Sequence, residues 1–264
     1  MIRSFFGLDR NPFPQDSLSL LPRQQEVFDA LRVHAQQGGL CLVLGEPGTG
    51  KSVLKETFRL HDSKRVIAPV VNRTLHSYFS VLRILCEAFQ IDSHGQCFRC
   101  ERRLVDEAFR LNSLGRMLVP FIDDAHLMDI DALRKLRLLF EDFPKNHNLV
   151  LIGQPSLLST LSLSVNDDIK SRVTYSAIMP KLAPDDMERF IFSQLDLAGL
   201  GHNTFSEDAL ALIVRSSAGV IRQARNLCLA SLVEAVRDRV KTVGLKQVNS
   251  MLLQPHWRKD YVLE

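Results

Sequence analysis

Nothing in the 264-residue sequence approaches the roughly 20 consecutive apolar residues that a membrane-spanning helix requires. Its opening, Met1-Ile2-Arg3-Ser4-Phe5-Phe6, lacks the apolar core and cleavage site of a secretion signal, so a cytoplasmic address with no membrane partner is expected. Cysteine is sparse: five residues, an odd number dispersed along the chain, argue for reduced thiols rather than a disulfide framework. Cys97-Phe98-Arg99-Cys100 is a lone Cys-x-x-Cys pair, and without a second pair or a Cys/His set at zinc spacing it reads as structural. Neither a helix-turn-helix nor a zinc finger is evident, which leaves base readout without a carrier. What remains, 45% hydrophobic and 24% charged residues, suits one large or two smaller globular domains with a real core.

The residues that organise the chain are Gly45-Glu46-Pro47-Gly48-Thr49-Gly50-Lys51-Ser52, preceded by the apolar run Leu40-Cys41-Leu42-Val43-Leu44 and followed by helix-like Val53-Leu54-Lys55-Glu56-Thr57-Phe58. A strand, a phosphate loop and a helix start are expected, and Gly-x-x-x-x-Gly-Lys-[Ser/Thr] has a reason at each position. The glycines let backbone N–H groups curl round phosphates, Lys51 reaches the outer phosphates, and the Ser52 hydroxyl holds Mg²⁺. The helix N-terminus adds orphan N–H groups that favour an anion. A second landmark follows about seventy residues later: Met117-Leu118-Val119-Pro120-Phe121-Ile122-Asp123-Asp124, an apolar strand delivering two acids at its C-terminal end. Beside a phosphate loop, Asp123 is expected to hold Mg²⁺ through water and Asp124 to orient the attacking water.

Taken in order, the aromatic and proline-rich opening through Pro14 predicts an ordered irregular arm, and Leu21 to Leu31 a helix with Pro22 in its first turn and Val27, Ala30 and Leu31 on one face. Arg65 to Val71 predicts a short buried strand, at an edge because of Pro69. Ser77 to Gln90 and residues 101–114 follow helical periodicity, the latter with Leu104, Ala108 and Leu111 apolar. Leu149 to Pro155 is another buried strand, ending in Gln154, which could sit beside the γ-phosphate. Arg172 precedes the strand-like Val173 to Ile178; it either reaches a neighbouring subunit's nucleotide as a finger in trans or caps a helix end at the surface. From Pro184 the pattern is all helical: Asp185, Asp186 and Glu188 near one helix start, Ser206-Glu207-Asp208 at the next, then Gly219-Val220-Ile221-Arg222 leading a helix with Ala224, Leu227, Cys228, Leu232 and Ala235 as its core stripe. Arg222 can lean over the nucleotide.

The expected architecture is therefore α/β: a parallel-sheet P-loop domain of three layers followed by a small all-helical lid. Its boundaries are an arm at 1–20, the nucleotide-binding core at 21–180, the lid at 181–256 and a tail at 257–264. The formal net charge of +3 hides an asymmetry, since 181–214 carries six acids against Lys181 and Arg189. Residues 215–259 are basic, with Arg215, Arg222, Arg225, Arg237, Arg239, Lys241, Lys246, Arg258 and Lys259 opposed by Glu234 and Asp238. That stripe suits a phosphate backbone, and a solvated helix face with one or two nucleotide-contacting arginines explains it as well.

These residues resemble the AAA+ ATPases of the ExeA, TniB and TnsC group over nearly the full chain. Phe6-Gly7-Leu8 with Asn11-Pro12-Phe13 is similar to that group's N-terminal signature, which encloses adenine. Gly45 to Ser52 resembles its Walker A motif, Phe121 to His126 its Walker B, Val150 to Pro155 its sensor 1 strand, and Gly219 to Cys228 its sensor 2 helix. Two positions depart from the pattern: Asp124 stands where glutamate is usual, one methylene shorter, so slow hydrolysis is expected, and Ile221 replaces a proline. The resemblance implies an ATP and Mg²⁺ site made of Glu46, Pro47, Gly48, Thr49, Gly50, Lys51, Ser52 and Arg222, with metal at Ser52 and Asp123 and catalytic roles for Asp124, Gln154 and Arg172. Secretion ATPases of the group carry a transmembrane segment and a periplasmic domain not present in these residues, so the short transposon ATPases are the nearer likeness. They imply self-assembly into a ring or helical filament on double-stranded DNA and recruitment of a transposase. Arg99, Arg102, Arg103 and Arg116 join the basic lid end as candidates for phosphate contacts. An ATPase acting on a protein partner in secretion or envelope assembly, and an initiator or helicase loader, share every nucleotide residue.

Overall fold

A computed structural model describes residues 2–14, 20–72, 77–91 and 97–257. Arg258 and Lys259 of the basic stretch lie outside them, as does the side chain of Cys97. The chain divides into two compact units, one of Leu18–Pro47 and Lys51–Met179, the other of Met1–Ser17, Gly48–Gly50 and Pro180–Glu264.

The first helix, α1 (Ile2–Phe6), replaces the expected irregular arm at its start. No proline interrupts the chain before Pro12, and Gly7 ends the helix at φ +74°. Beyond it the backbone is irregular, as its proline content demands. Helix α2 (Pro22–Gln37) starts on Pro22 but buries Gln24, Phe28, Leu31 and Ala35. Val27 and Ala30 flank that stripe rather than form it, because the larger Phe28 takes the core position.

Strand β1 (Gly39–Leu44) leads through the phosphate loop into α3 (Lys51–Leu60). Strands β2 (Val66–Ile67) and β3 (Val70–Val71) follow, then α4 (Tyr78–Ala88), capped by the Ser77 hydroxyl, and α5 (Cys97–Ser113). Next come β4 (Met117–Leu118), β5 (Phe121–Ile122), α6 (Ile130–Glu141), β6 (Asn148–Gly153), α7 (Ser156–Leu161), α8 (Asp167–Lys170) and β7 (Val173–Ile178). The main sheet runs β3-β5-β6-β1-β7, every pairing parallel, with β2 and β4 paired separately. The predicted strand at 65–71 is thus real and at the edge, but Ala68-Pro69 splits it, as Val119-Pro120 splits its partner. Proline gives no N–H to a ladder, yet the carbonyls of Pro69 and Pro120 still accept, from Phe121 N at 2.9 Å and Val150 N at 3.0 Å. The break costs donors, not alignment.

Pleating sends alternate residues to opposite faces. Leu40, Leu42, Leu44, Leu149, Leu151 and Ile122 pack with α4, α5 and α6, while Cys41, Val43, Val150, Ile152 and Phe121 pack with Phe28, Leu31 and Phe58 of α2 and α3. Both faces of the sheet are covered, which gives the three layers expected and explains why the central strands are continuously apolar.

The other unit holds α9 (Pro184–Ala198), α10 (Glu207–Ser217), α11 (Ile221–Arg237) and α12 (Leu245–Leu252). Its core is built on Met187, Ile191, Leu195, Ile213, Ala224, Leu227, Cys228, Leu232 and Ala235, each 0% exposed, so the α11 stripe falls where its spacing placed it. Leu8 and Phe13 of the N-terminal segment are buried in this same core. The Lys241 ammonium lies over the Phe5 ring, 4.2 Å from its centroid, and bonds the Phe5 carbonyl. Among the described residues no helix is long and apolar enough to cross a membrane.

Candidate nucleotide site

In a parallel α/β sheet ligands gather at the carboxyl ends of the strands, and three neighbouring strands bring their functional residues to that end. The phosphate loop leaves β1, Gln154 follows β6, and Asp123 and Asp124 follow β5, with β6 between the other two. The Gly45 N–H donates to Gly153 O at 3.1 Å, fastening the loop's first residue beside Gln154. Gln154 thus follows the strand that lies between the loop's strand and the acids' strand.

The loop is shaped by its glycines. Gly48 and Gly50 take φ of +85° and +99°, conformations that other residues adopt only with strain. Lys51 Nζ donates to Gly45 O at 2.6 Å and to Glu46 O at 2.8 Å, so the ammonium is folded over the loop itself. Thr49 is buried, and the Ser52 side chain is exposed on the first turn of α3. Within the helical unit's cluster, the Arg222 N–H donates to Gly48 O at 3.2 Å, and the Arg222 side chain is exposed at the start of α11.

Asp123 has a partner that motif reading missed. Lys55 Nζ donates to Asp123 Oδ2 at 2.6 Å and to Asn72 Oδ1 at 3.1 Å, with side chains only 7% and 19% exposed for Lys55 and Asp123. The other carboxylate oxygen, Oδ1, accepts from Asp124 N at 3.0 Å. The signal was in the sequence: Lys55 lies four residues after Lys51, on the same face of one helix. Asp124 itself is left-handed, φ +51° and ψ +35°, a conformation in which aspartate is far commoner than longer or branched side chains. An Mg²⁺ ion fits this chemistry. The Ser52 hydroxyl and the Asp123 carboxylate are hard oxygen donors of the kind Mg²⁺ takes.

Arg172 stands elsewhere. It precedes β7 at the level of the start of β1, the end of the sheet opposite the loop, roughly 20 Å away for a six-residue strand. Its Nε donates to Glu141 Oε1 at 3.0 Å, and Arg137 Nη1 donates to the same oxygen at 2.7 Å. Within one subunit it does not join the loop. The basic stretch is partly spent on internal contacts: Arg237 pairs with Glu234, Lys246 with Asp238, and Lys241 with the Phe5 and Phe6 rings. Arg99, Arg102 and Arg103 are exposed on α5, whereas Arg116 is half-buried. Cys86 of α4 and Cys100 of α5 are buried neighbours, and burial pushes the Cys86 thiol up to about 12, which suits a structural role. No cluster of three or more metal-binding side chains occurs among the described residues.

The family described as AAA domain matches residues 33–161. General secretion pathway protein A of Aeromonas hydrophila is 28% identical over 246 residues, covering 89% of this chain but 45% of that protein, so the chain spans less than half of that relative's length. Among solved structures, the Aeropyrum pernix ORC1 protein in complex with DNA superposes with a TM-score of 0.69 at 19% identity, over 90% of this chain and 67% of the other. The ORC2 protein of the same organism, in ADPNP-ADP complexes, gives 0.72 at 14% identity, over 99% and 73%. A Thermotoga maritima RUVB mutant gives 0.59 at 16%, over 87% and 67%. The fold is that of the P-loop AAA+ proteins, a parallel sheet between helices in one unit and an all-helical C-terminal unit.

Proposed function

We propose that this chain is a cytoplasmic AAA+ ATPase that binds ATP with Mg²⁺, assembles with copies of itself on double-stranded DNA without strong sequence preference, and recruits or activates a transposase there. The observation that carries the ATPase reading is the convergence of the phosphate loop, Gln154, Asp123 and Asp124 on neighbouring strand ends. Glu46 to Ser52 and Arg222 hold the nucleotide. Ser52 and Asp123 hold Mg²⁺, which when bound neutralises phosphate charge. Asp124 accepts the proton of the water that attacks the γ-phosphorus; the bond from that phosphorus to the β,γ-bridging oxygen breaks, giving ADP and phosphate. Gln154 orients the γ-phosphate, and Arg172 of a neighbouring subunit stabilises the transferring charge. The domains act as an adenine-side arm at 1–20, a core at 21–180 and a lid at 181–256.

Support for DNA as the surface on which it assembles comes from the exposed Arg99, Arg102 and Arg103 and from the likeness to a protein solved with DNA. A second reading, an ATPase acting on a protein partner in secretion, draws support from the Aeromonas hydrophila relative. Fluorescence anisotropy of a random-sequence duplex with ATP, ADP or no nucleotide separates the two. Binding with ATP alone, falling steeply as salt rises and lost in Lys51→Ala, is the expected result. Absence of ATP-dependent binding would reject the DNA reading and leave the secretion reading.

A further inference from the structure

Between α9 and α10 the helical unit holds an open groove of about 960 Å³. Its apolar lining includes Phe192 and Val214, half-buried, and Leu210, buried. The Phe192 ring is fixed by His202, which stacks on it at 4.2 Å and 8°, and whose Nε2 lies 2.9 Å from Asp196 Oδ1. Asp185, Glu188 and Glu207 stand exposed along the same groove, against Arg215, the single lysine or arginine lining it among the described residues. Arg189, the nearest basic residue on α9, is already paired with Asp186, and none of the three carboxylates has a cation partner among the described residues.

Helix chemistry accounts for only part of this. Asp185 and Glu207 lie in the first turns of α9 and α10, where a negative charge offsets the macrodipole. Glu188 lies a turn further on and has no such role, and both helix starts open onto one groove. The result is an apolar floor under a rim carrying an excess of two negative charges. A phosphate backbone is repelled by such a rim. A helix with one apolar face flanked by lysine or arginine matches it in both respects, since amphipathic helices bind by laying their apolar face in a groove while charges fix orientation.

We infer that the α9–α10 groove docks a basic amphipathic helix of a partner protein, with its apolar face on Phe192, Leu210 and Val214 and its cations against Asp185, Glu188 and Glu207. The inference deepens the proposed function by giving the protein partner a place on the lid, and rests on that reading only for what the partner does. Nucleotide and DNA are not needed for docking, so its test is independent of theirs.

The probe is a short fluorescein-labelled peptide with leucine at the i, i+3, i+4 and i+7 positions of a helix and lysine at the others, titrated into the full chain without nucleotide. Two further peptides serve as controls, one with glutamate for lysine and one with the same composition scrambled. The lysine peptide binds the unmodified protein best. In Glu188→Lys/Glu207→Lys, with two exposed positions reversed and the thermal midpoint kept, its affinity falls about tenfold or more and the glutamate peptide becomes the better ligand. Val214→Ser weakens both. Equal binding of the lysine peptide by the reversed variant, or equal binding of the scrambled peptide, overturns the proposal. Self-association of the unmodified protein by light scattering, abolished by the same reversal, would overturn it in favour of a second copy as occupant.

Discussion

The backbone N–H of Arg222 donates to the carbonyl of Gly48 at 3.2 Å, and a Cβ placed on Gly48 would come within 2.7 Å of the Cβ of Arg222 and 3.0 Å of Val220 Cγ1. The tip of the phosphate loop and the start of α11 are thus fitted to each other at a position where only glycine leaves room. Gly48→Ala must absorb both that collision and a left-handed φ, the latter costing about 1–2 kcal/mol. A drop in fluorescent-ATP affinity of about tenfold or more is expected, with a fall of only a few degrees in melting temperature. Unchanged affinity would mean that the fit has no bearing on nucleotide binding.

Lys55 and Asp123 form a pair in which neither charge is well solvated. Removing one partner strands the other, so Lys55→Met should lower the stability measured by urea unfolding by about 3 kcal/mol. Asp123→Asn should act similarly. The double variant Lys55→Met/Asp123→Asn should recover a large part of the loss, because no buried charge is then left alone. Additive losses would show that the two residues act separately.

The left-handed backbone at Asp124 bears on the aspartate that stands where glutamate was expected. Asp124→Glu should lower the melting temperature, since the longer side chain tolerates φ near +51° less well. Asp124→Asn should keep the fold and ATP affinity while phosphate release falls about a hundredfold, the usual contribution of a proton-accepting group. If release is unaffected, the proton goes elsewhere.

Much of this was readable in the residues because the signals were local. The phosphate loop, the acids after β5 and the α11 stripe are each contiguous or periodic, and folding adds little to their meaning. Lys55 shares a helix face with Lys51, but its role depends on partners that only the sheet brings together, Asn72 just past β3 and Asp123 just past β5. The helix at Ile2–Phe6 was missed because two adjacent phenylalanines and the prolines downstream dominate that window, while the Lys241 contact that steadies it comes from more than two hundred residues away. The basic stretch at 215–259 reads as one charge block in sequence, but Arg237 and Lys246 pair at the surface with Glu234 and Asp238, and Lys241 lies over the Phe5 ring; of these partners only Glu234, three residues before Arg237 on α11, stands at a helical spacing.

His147 gives the fold an acid-sensitive point. Burial lowers its pKa from 6.5 to about 4, so the folded state holds a neutral ring where the unfolded chain holds a charged one. Stability from this residue is complete above about pH 6.5 and is lost as pH falls toward 4. The carboxylates of Asp168 and Asp238, held low by hydrogen bonds from Arg134 and Lys246, add their losses only below about pH 4, near their usual titration range. Urea midpoints should therefore decline between pH 6.5 and 4, and His147→Gln should flatten that interval while leaving the steeper decline below it. An unaltered slope in the variant would place the acid sensitivity elsewhere.

Arg172 is tied to Glu141 at the end of the sheet away from the phosphate loop, with 61% of its side chain exposed, so any catalytic role must be exercised on a neighbouring subunit. Arg172→Ala should then leave ATP affinity unchanged, since the subunit's own site is intact, while hydrolysis in the assembled state falls about a thousandfold, as for other arginines supplied in trans. Mixing separates this from a structural effect. Lys51→Ala cannot hold nucleotide properly but retains its arginine, and Arg172→Ala has the reverse defect. Two inactive proteins combined should therefore regain part of the activity, because sites in Arg172→Ala subunits receive Arg172 from Lys51→Ala neighbours. Glu141→Gln, which weakens the internal hold on the same arginine, should leave this rescue intact or raise it. If the mixture stays inactive, Arg172 serves only to bind α6 to the segment before β7, and the finger must be sought on another residue.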